Sequence, residues 1–460
     1  MSFLLKFIEQ YLTYFAIDVS KLLPKDQSTA RSEALKTLQQ HQRKELVVAI
    51  LLFTAGLGDS HPLNDETKKS DSHSCVCKSF SEKSVDVECA NKFSAREIQS
   101  ILNRTDFVGD LFELHLRISS PVVVSIPANL LSGRSFNRIF IYCGNDSAPT
   151  QVRIDPNAFR TTSHRTDIFR IFNCDLNQQD DLAFLTDFIK LASLSLQSSS
   201  NIHSFAKLPV LSNLKSLTIF NCSGLERLAM FPISAIPAGL KELDLALNML
   251  NDQKMEMILN SIVSSSSART LEMLRLSGNR LTQIPQYRIL SSFTQLSQLY
   301  LDGNSIPSIA KGSLDFSSQM PNLTVLNLMN IGLTEVEPKA FKYVSAKVHL
   351  DVNNLTRFDS SVYKQMLERS VETGRGGLTF TSNWVDCSDC RLVWLIRNNR
   401  HLLSSVRGTC LTNSTNSAKF EDVKISDYDH CGDIPDGDDD SKSSSSWFYF
   451  FLLKLVGVRL

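Results

Sequence analysis

The pair Cys387-x-x-Cys390, within NWVDCSDCRLVWLIRNN at 383–399, sets two reactive side chains at a spacing with chemical meaning. A thiolate is a nucleophile, a metal ligand and a partner in disulfide exchange. Two thiols so spaced read as a redox dithiol, as half of a zinc site, or as part of a disulfide framework. The pair alone does not choose among the three. Other chemistry is thinly represented. The chain has no GxSxG elbow, no Walker loop and no HExxH. Its nine histidines are scattered, and His115 and His349 project outward from predicted strands, where solvent or a partner outweighs metal as their role. The acidic run DIPDGDDD at 433–440 lacks the ligand spacing of a calcium loop and reads as a solvated linker. GRGG at 374–377 is a glycine-rich turn, not a phosphate cradle. These residues predict neither an enzyme nor a cofactor or metal site.

Composition bounds the remaining classes. The 460 residues are 42% hydrophobic, enough for a substantial core. Lysine plus arginine equals aspartate plus glutamate at 48 each, so a phosphate-tracking basic face, and with it nucleic-acid binding, is not expected. The ten cysteines are unevenly placed. Cys75, Cys77 and Cys89 stand early, Cys387, Cys390, Cys410 and Cys431 late, and only Cys143, Cys174 and Cys222 lie between. That distribution suggests two stapled ends around a differently built centre.

The centre is a repeat. LKELDLALNML from Leu240, LEMLRLSGNRL from Leu271 and LSQLYLDGNSI from Leu296 share the pattern L-x-x-L-x-L-x-x-N-x-L, the leucine-rich-repeat consensus. Weaker copies start at Leu111, Phe136, Thr166, Leu191, Leu214, Leu323 and Ser345, with an average spacing of 26 residues. The predicted fold is an α/β solenoid: a leucine-rich-repeat horseshoe with a parallel concave sheet and disulfide caps at both ends.

In each x-L-x-L-x strand the leucines point inward and their neighbours outward. Asn248, Asn279, Asn304 and Asn353 fall in the turn after the strand, where a buried amide can bond backbone groups of neighbouring turns. Cys174 and Cys222 hold the same place and read as structural free thiols. Ser119, Gly144, Ser199 and Ile331 depart from the pattern, so looser turns are expected there. IDPNAF at 154–159 and VEPKAF at 336–341 supply return-side anchors, and DQKMEMILNSIV at 252–263 suits a short helix. On the outward face Tyr142, Phe172 and Phe220 occupy equivalent places in three repeats, with Phe140 beside them. Aromatics are enriched in interface cores, which makes these four the candidate protein-binding residues. Asp244, Arg275, Tyr300, Asp302, Lys347 and Asp351 give a more polar face further along.

Arg43 and Lys44 precede an apolar run ending in Ala55, Gly56 and Gly58, the order of a secretory signal. A signal belongs at the start of a chain, so residues 1–45 are expected to be a mis-joined exon or the product of an alternative start. The tail, GDDDSKSSSS then WFYFFLLKLVGVRL, is too short to span a bilayer, and it leaves membrane anchoring undecided.

CVCKSFSEKSVDVEC at 75–89 resembles the N-terminal cap of extracellular leucine-rich-repeat proteins, without their usual upstream cysteine. The segment from Asn383 to Cys431 is similar to the matching C-terminal cap. Closer still, DCSDCRLVWLIRNNRHLLSSVRGTC with a downstream FEDVKISDYDHC resembles the arthropod family named as non-catalytic subunits of oplophorus-luciferin 2-monooxygenase, over roughly Cys75 to Cys431. The resemblance implies Cys75–Cys89, Cys387–Cys410 and Cys390–Cys431 disulfides, and leaves Cys77 either free or bonded to Cys143. It implies a secreted accessory subunit that is not itself the luciferase. Sequons at Asn103, Asn145, Asn221, Asn322, Asn354 and Asn413 permit glycosylation without establishing it. The expected plan is an extension at 1–45, a signal-like segment at 46–60, linker and N-cap at 61–110, about ten repeats at 111–378, C-cap at 379–431 and linker with tail at 432–460. The expected function is protein binding through the concave face, with an anchored surface receptor as the alternative.

Overall fold

A computed structural model of the chain describes residues 74–80, 84–90, 92–103, 112–144, 149–232, 239–413 and 416–432. The extension, the signal-like segment, the tail beyond 432 and the sequon at Asn145 lie outside the described residues. The chain divides into two units, Met1–Asp180 and Asp181–Leu460.

The first unit opens with β1 (Cys75–Phe80) antiparallel to β2 (Ser84–Ala90), followed by α1 (Ala95–Leu102). Ser94 starts that helix by accepting from the Glu97 amide, and Ile98 and Leu102, four residues apart, bury its apolar stripe. β3 (Glu113–Ser119), β4 (Val124–Ile126), β5 (Arg138–Cys143), β6 (Thr150–Ile154), β7 (Ile168–Phe172) and β8 (Cys174–Asp175) complete it. The main sheet runs β1-β2-β3-β5-β7, parallel from β2 onward, and β4-β6-β8 form a smaller parallel sheet. The two-residue alternation of each strand puts Val85, Leu114, Ile139 and Phe169 in one register row, each fully buried. Phe159, from IDPNAF, closes on Phe169 edge-on at 5.4 Å.

In the second unit the principal strands are β9 (Ser193–Gln197), β10 (Ser216–Phe220), β11 (Glu242–Asp244), β12 (Met273–Arg275) and β13 (Gln298–Tyr300). β14 (Ser308–Ile309) and β16 (Glu335–Val336) pair separately, around β15 (Val325–Asn327) in sequence. β17 (Lys347–His349), β18 (Gly377–Phe380), β19 (Val406–Leu411) and β20 (Ser417–Lys419) follow, and only β20 joins its neighbour antiparallel. From Leu194 through Leu217, Leu243, Leu274, Leu299, Leu326 and Val348 to Leu378 the strands present one buried row in register. Each fully buried leucine contributes roughly 1.5–3 kcal/mol.

A spine of asparagines runs alongside that row. Asn279 Oδ1 accepts from the Asn248 and Leu250 amides while its Nδ2 donates to the Leu245 and Leu276 carbonyls. Asn304 and Asn353 repeat the arrangement, and Asn248 reaches the Cys222 amide and the Ile219 carbonyl. Leaving one such buried group unpaired costs about 1–3 kcal/mol. The turns expected to be loose at Ser199 and Ile331 are closed instead. Ser199 is buried and donates to the Gln197 carbonyl, and the Ile331 amide donates to the next asparagine, Asn353. At the first the hydroxyl bonds within its own turn, and at the second the Ile331 backbone carbonyl accepts the Ile306 amide of the preceding repeat at 2.8 Å.

The segment 252–263 forms α2 (Asp252–Val263), capped by Asn251, with Met255, Ile258, Leu259 and Ile262 buried on one face. A single turn, α3 (Tyr287–Leu290), and then α4 (Ser360–Thr373) are the remaining α-helices among the described residues, the last closing at Gly374 with φ +63°. At Gly376 a Cβ would meet the Ser345 carbonyl oxygen at 2.7 Å, so the GRGG turn serves close backbone approach.

At the C-terminal end Phe358 is the hub of an aromatic cluster with Tyr363, Phe380, Trp394 and Phe420, at 4.4–5.8 Å between centroids. The whole LVWLI run is buried, and Trp394 Nε1 donates to the Phe358 carbonyl at 2.9 Å. Trp384, by contrast, is 58% exposed. The fold is an α/β leucine-rich-repeat solenoid with a parallel sheet and disulfide-bonded caps.

Candidate partner-binding face

Outward positions of β2, β3, β5 and β7 form a grid on the first unit. Register places Asp86, His115, Phe140 and Arg170 in one row and Glu88, Arg117, Tyr142 and Phe172 in the next. Neighbouring strands thus bring together side chains that lie 25–30 residues apart in sequence. His115 stacks on Phe140 at 4.6 Å, and Tyr142 on Phe172 at 4.7 Å, with ring planes within 12° of parallel. His115 also lies parallel to Tyr142 at 6.1 Å, and the Tyr142 hydroxyl is 3.4 Å from His115 Nδ1. Each ring is half-buried.

Arginines interleave with these rings. Arg117 sits over Tyr142 at 4.6 Å and makes an ion pair with Asp86 at 3.0 Å. Arg170 lies 5.8 Å from the Phe140 centroid. Arg138 pairs with Glu113 at 3.0 Å and covers Phe112 at 4.7 Å. Burial pushes the Tyr142 phenol above its ordinary value, a rise that Arg117 partly opposes. At neutral pH the phenol is therefore a neutral hydrogen-bonding group. Rings with polar edges, half-desolvated beside fixed cations, can accept a partner's apolar and charged groups at once.

Phe140, Tyr142 and Phe172 belong to this stack. Phe220 stands on β10 of the second unit, in register with Gln197. Sequence alone does not single out Arg117, Arg138 and Arg170, although each alternates with an inward residue in its strand in the same phase as the aromatics.

The second unit's face is more polar and mostly paired within itself, with Arg275 Nε buried without a hydrogen bond. Arg275 lies 3.8 Å from Asp244 and over the Tyr300 ring at 4.8 Å. Asp302 accepts from Ser277 Oγ at 2.7 Å and Asn327 Nδ2 at 3.0 Å. Asp351 accepts from the Thr379 and Thr381 hydroxyls, and Lys347 is exposed. His349 bonds Thr379 at 3.0 Å.

The cysteines form four disulfides among the described residues: Cys75–Cys89, Cys143–Cys174, Cys387–Cys410 and Cys390–Cys431. Cys387 and Cys390 are thus bound to different partners. His430 Nε2 lies 3.4 Å from Cys431 Sγ and 3.7 Å from Cys390 Sγ, but those sulfurs are bonded to each other. The reading of Cys174 as a free thiol is corrected. Asn173 takes a left-handed turn at φ +54° directly after β7, which sets Cys174 beside Cys143 with Cα atoms 4.7 Å apart. The alternative Cys77–Cys143 bond falls with it. Cys222 remains a buried thiol donating to the Leu196 and Phe220 carbonyls, its pKa pushed up to about 12 by burial. Asn383 was also missed. It continues the spine after β18, accepting from the Leu355 amide and donating to the Leu350 carbonyl. Its signal was present as L-x-F-x-x-N at 378–383.

Of the sequons, Asn103, Asn322, Asn354 and Asn413 are exposed and Asn221 is half-buried. No described helix is long and apolar enough to cross a membrane.

No known family description matches the chain, and no curated protein does. Among solved structures it is similar to a chain from the glycosylated Toll–Spatzle complex, described as a molecular hub in Drosophila development and innate immunity. The likeness has a TM-score of 0.45 at 14% identity, covers 66% of this chain and spans less than half, 44%, of that one.

Proposed function

We propose that the chain is a secreted, non-catalytic leucine-rich-repeat protein that binds a protein partner on the first unit's sheet face, as an accessory or stabilising subunit. The observation that carries this reading is the stack of half-buried rings formed by Phe140, Tyr142 and Phe172 with His115 and the arginines beside it. Such residues dominate interface cores, and a stacked, partly desolvated set presents them with little freedom left to lose. Phe220 is left out of the proposed surface. Four disulfides support folding in an oxidising compartment, and the exposed sequons supply glycan acceptors on that route. The proposed plan keeps a cap at 61–110, repeats at 111–378 and a second cap at 379–431.

The test is crosslinking of the tagged full chain in its native extracellular fluid, wild type beside Phe140→Ala and Phe172→Ala. The expected outcome is a discrete crosslinked partner whose recovery falls at least tenfold in both variants while their thermal melts stay cooperative. Recovery unaltered by both substitutions removes this face from the function.

A further inference from the structure

The first unit's face carries an uneven set of charges. Lys78 pairs with Glu88 at 3.1 Å, Arg117 with Asp86 at 3.0 Å and Arg138 with Glu113 at 3.0 Å. Each acid there has its cation. Arg170, in the same register row as Asp86, His115 and Phe140, has no acceptor among the described residues, and its Nε is buried without a hydrogen bond. A guanidinium keeps its charge at every accessible pH, and burying one of its donors unpaired is costly. What holds it is the Phe140 ring at 5.8 Å, which attracts a cation but accepts no N–H in the plane of the fork.

We propose that Arg170 is the anchor of this face, and that it takes an aspartate or glutamate carboxylate from a protein segment laid across the rings; the inference rests on the binding face proposed above. A carboxylate matches the guanidinium fork with two parallel hydrogen bonds, and contact in a partly desolvated site strengthens them. The charge count favours a single carboxylate over a polyanion. Phosphate clusters or sulfated glycans are held by several cations free to meet them, whereas Lys78, Arg117 and Arg138 already face carboxylates that would repel such a ligand. The rings of Phe140, Tyr142 and Phe172 around the anchor suit the apolar side chains that flank an acid in a peptide, and offer a glycan sulfate nothing further.

The probe is a phage-displayed library of random dodecapeptides, selected on the folded full chain and followed by titration of the recovered peptides as synthetic ligands. Wild-type protein is expected to enrich aspartate or glutamate at one position. Arg170→Met is expected to weaken those peptides at least tenfold, and Arg170→Lys, which keeps the charge without the fork, to fall between. Arg170→Glu should reverse the selection toward lysine and arginine, a result that loss of folding cannot produce. Selected peptides that depend on Phe172 but show no acidic enrichment, or that bind Arg170→Met as tightly as wild type, overturn the anchor and leave the face standing. A selection with no Phe172-dependent clone overturns both. Heparin retention by wild type that is lost in Arg170→Met overturns the assignment to a protein carboxylate.

Discussion

Asp302 shows what a single half-buried acid does in this fold. Burial raises its carboxyl above the ordinary range, while the Ser277 hydroxyl and the Arg275 charge pull it back. Burial likewise raises Asp244, opposed by the Ala246 amide and Arg275. A carboxyl with a raised folded pKa binds its proton more tightly in the native state than in the unfolded chain. Its contribution to stability is then complete below the ordinary carboxylate range and is lost as pH rises through the raised value. Asp302→Asn keeps an acceptor oxygen for Ser277 and Asn327 and removes the charge. We expect it to melt above wild type at pH 7, with the gap closing as pH falls below the ordinary carboxylate range. A lower melting temperature than wild type at pH 7 shows instead that attraction to Arg275 outweighs burial.

The elements differ in how openly the sequence announces them. Each strand and its asparagine turn are written within eleven residues, because leucine alternation and the amide spacing are local constraints. The binding face is not local. It depends on parallel register between strands such as β3, β5 and β7, and on which arginine finds which acid, so the aromatics were legible while Arg170 was not. Cys174 and Cys222 share a motif position, and only the neighbouring repeat separates them: Cys143 waits beside one, while Leu196 and Phe220 carbonyls surround the other. The C-cap carries a similar ambiguity in its two tryptophans. Trp394 is 5% exposed against Phe358, whereas Trp384 is 58% exposed. Trp394→Ala should therefore cost about 3–5 kcal/mol in denaturant unfolding, and Trp384→Ala under about 0.5 kcal/mol. Equal costs would contradict the assignment of cap packing to Trp394.

At the scale of the molecule, a solenoid's core is open wherever a cap is absent. Truncation after residue 380 removes LVWLI and Phe420 from Phe358 and Phe380 and discards all four cap cysteines. The shortened chain is expected to elute as soluble aggregate on size exclusion and to lose its cooperative melt. A monomer melting like the full chain would show that the repeats close themselves. The stacked rings of the first unit have a consequence of another kind. His115, Phe140, Tyr142 and Phe172 already touch one another, and Cys143–Cys174 ties the strand ends beside them. A docking partner would find little hydration left to release and few rotamers left to freeze. Calorimetry of association should then show a heat-capacity change smaller than the ring area suggests, and partners should be told apart by how slowly they leave.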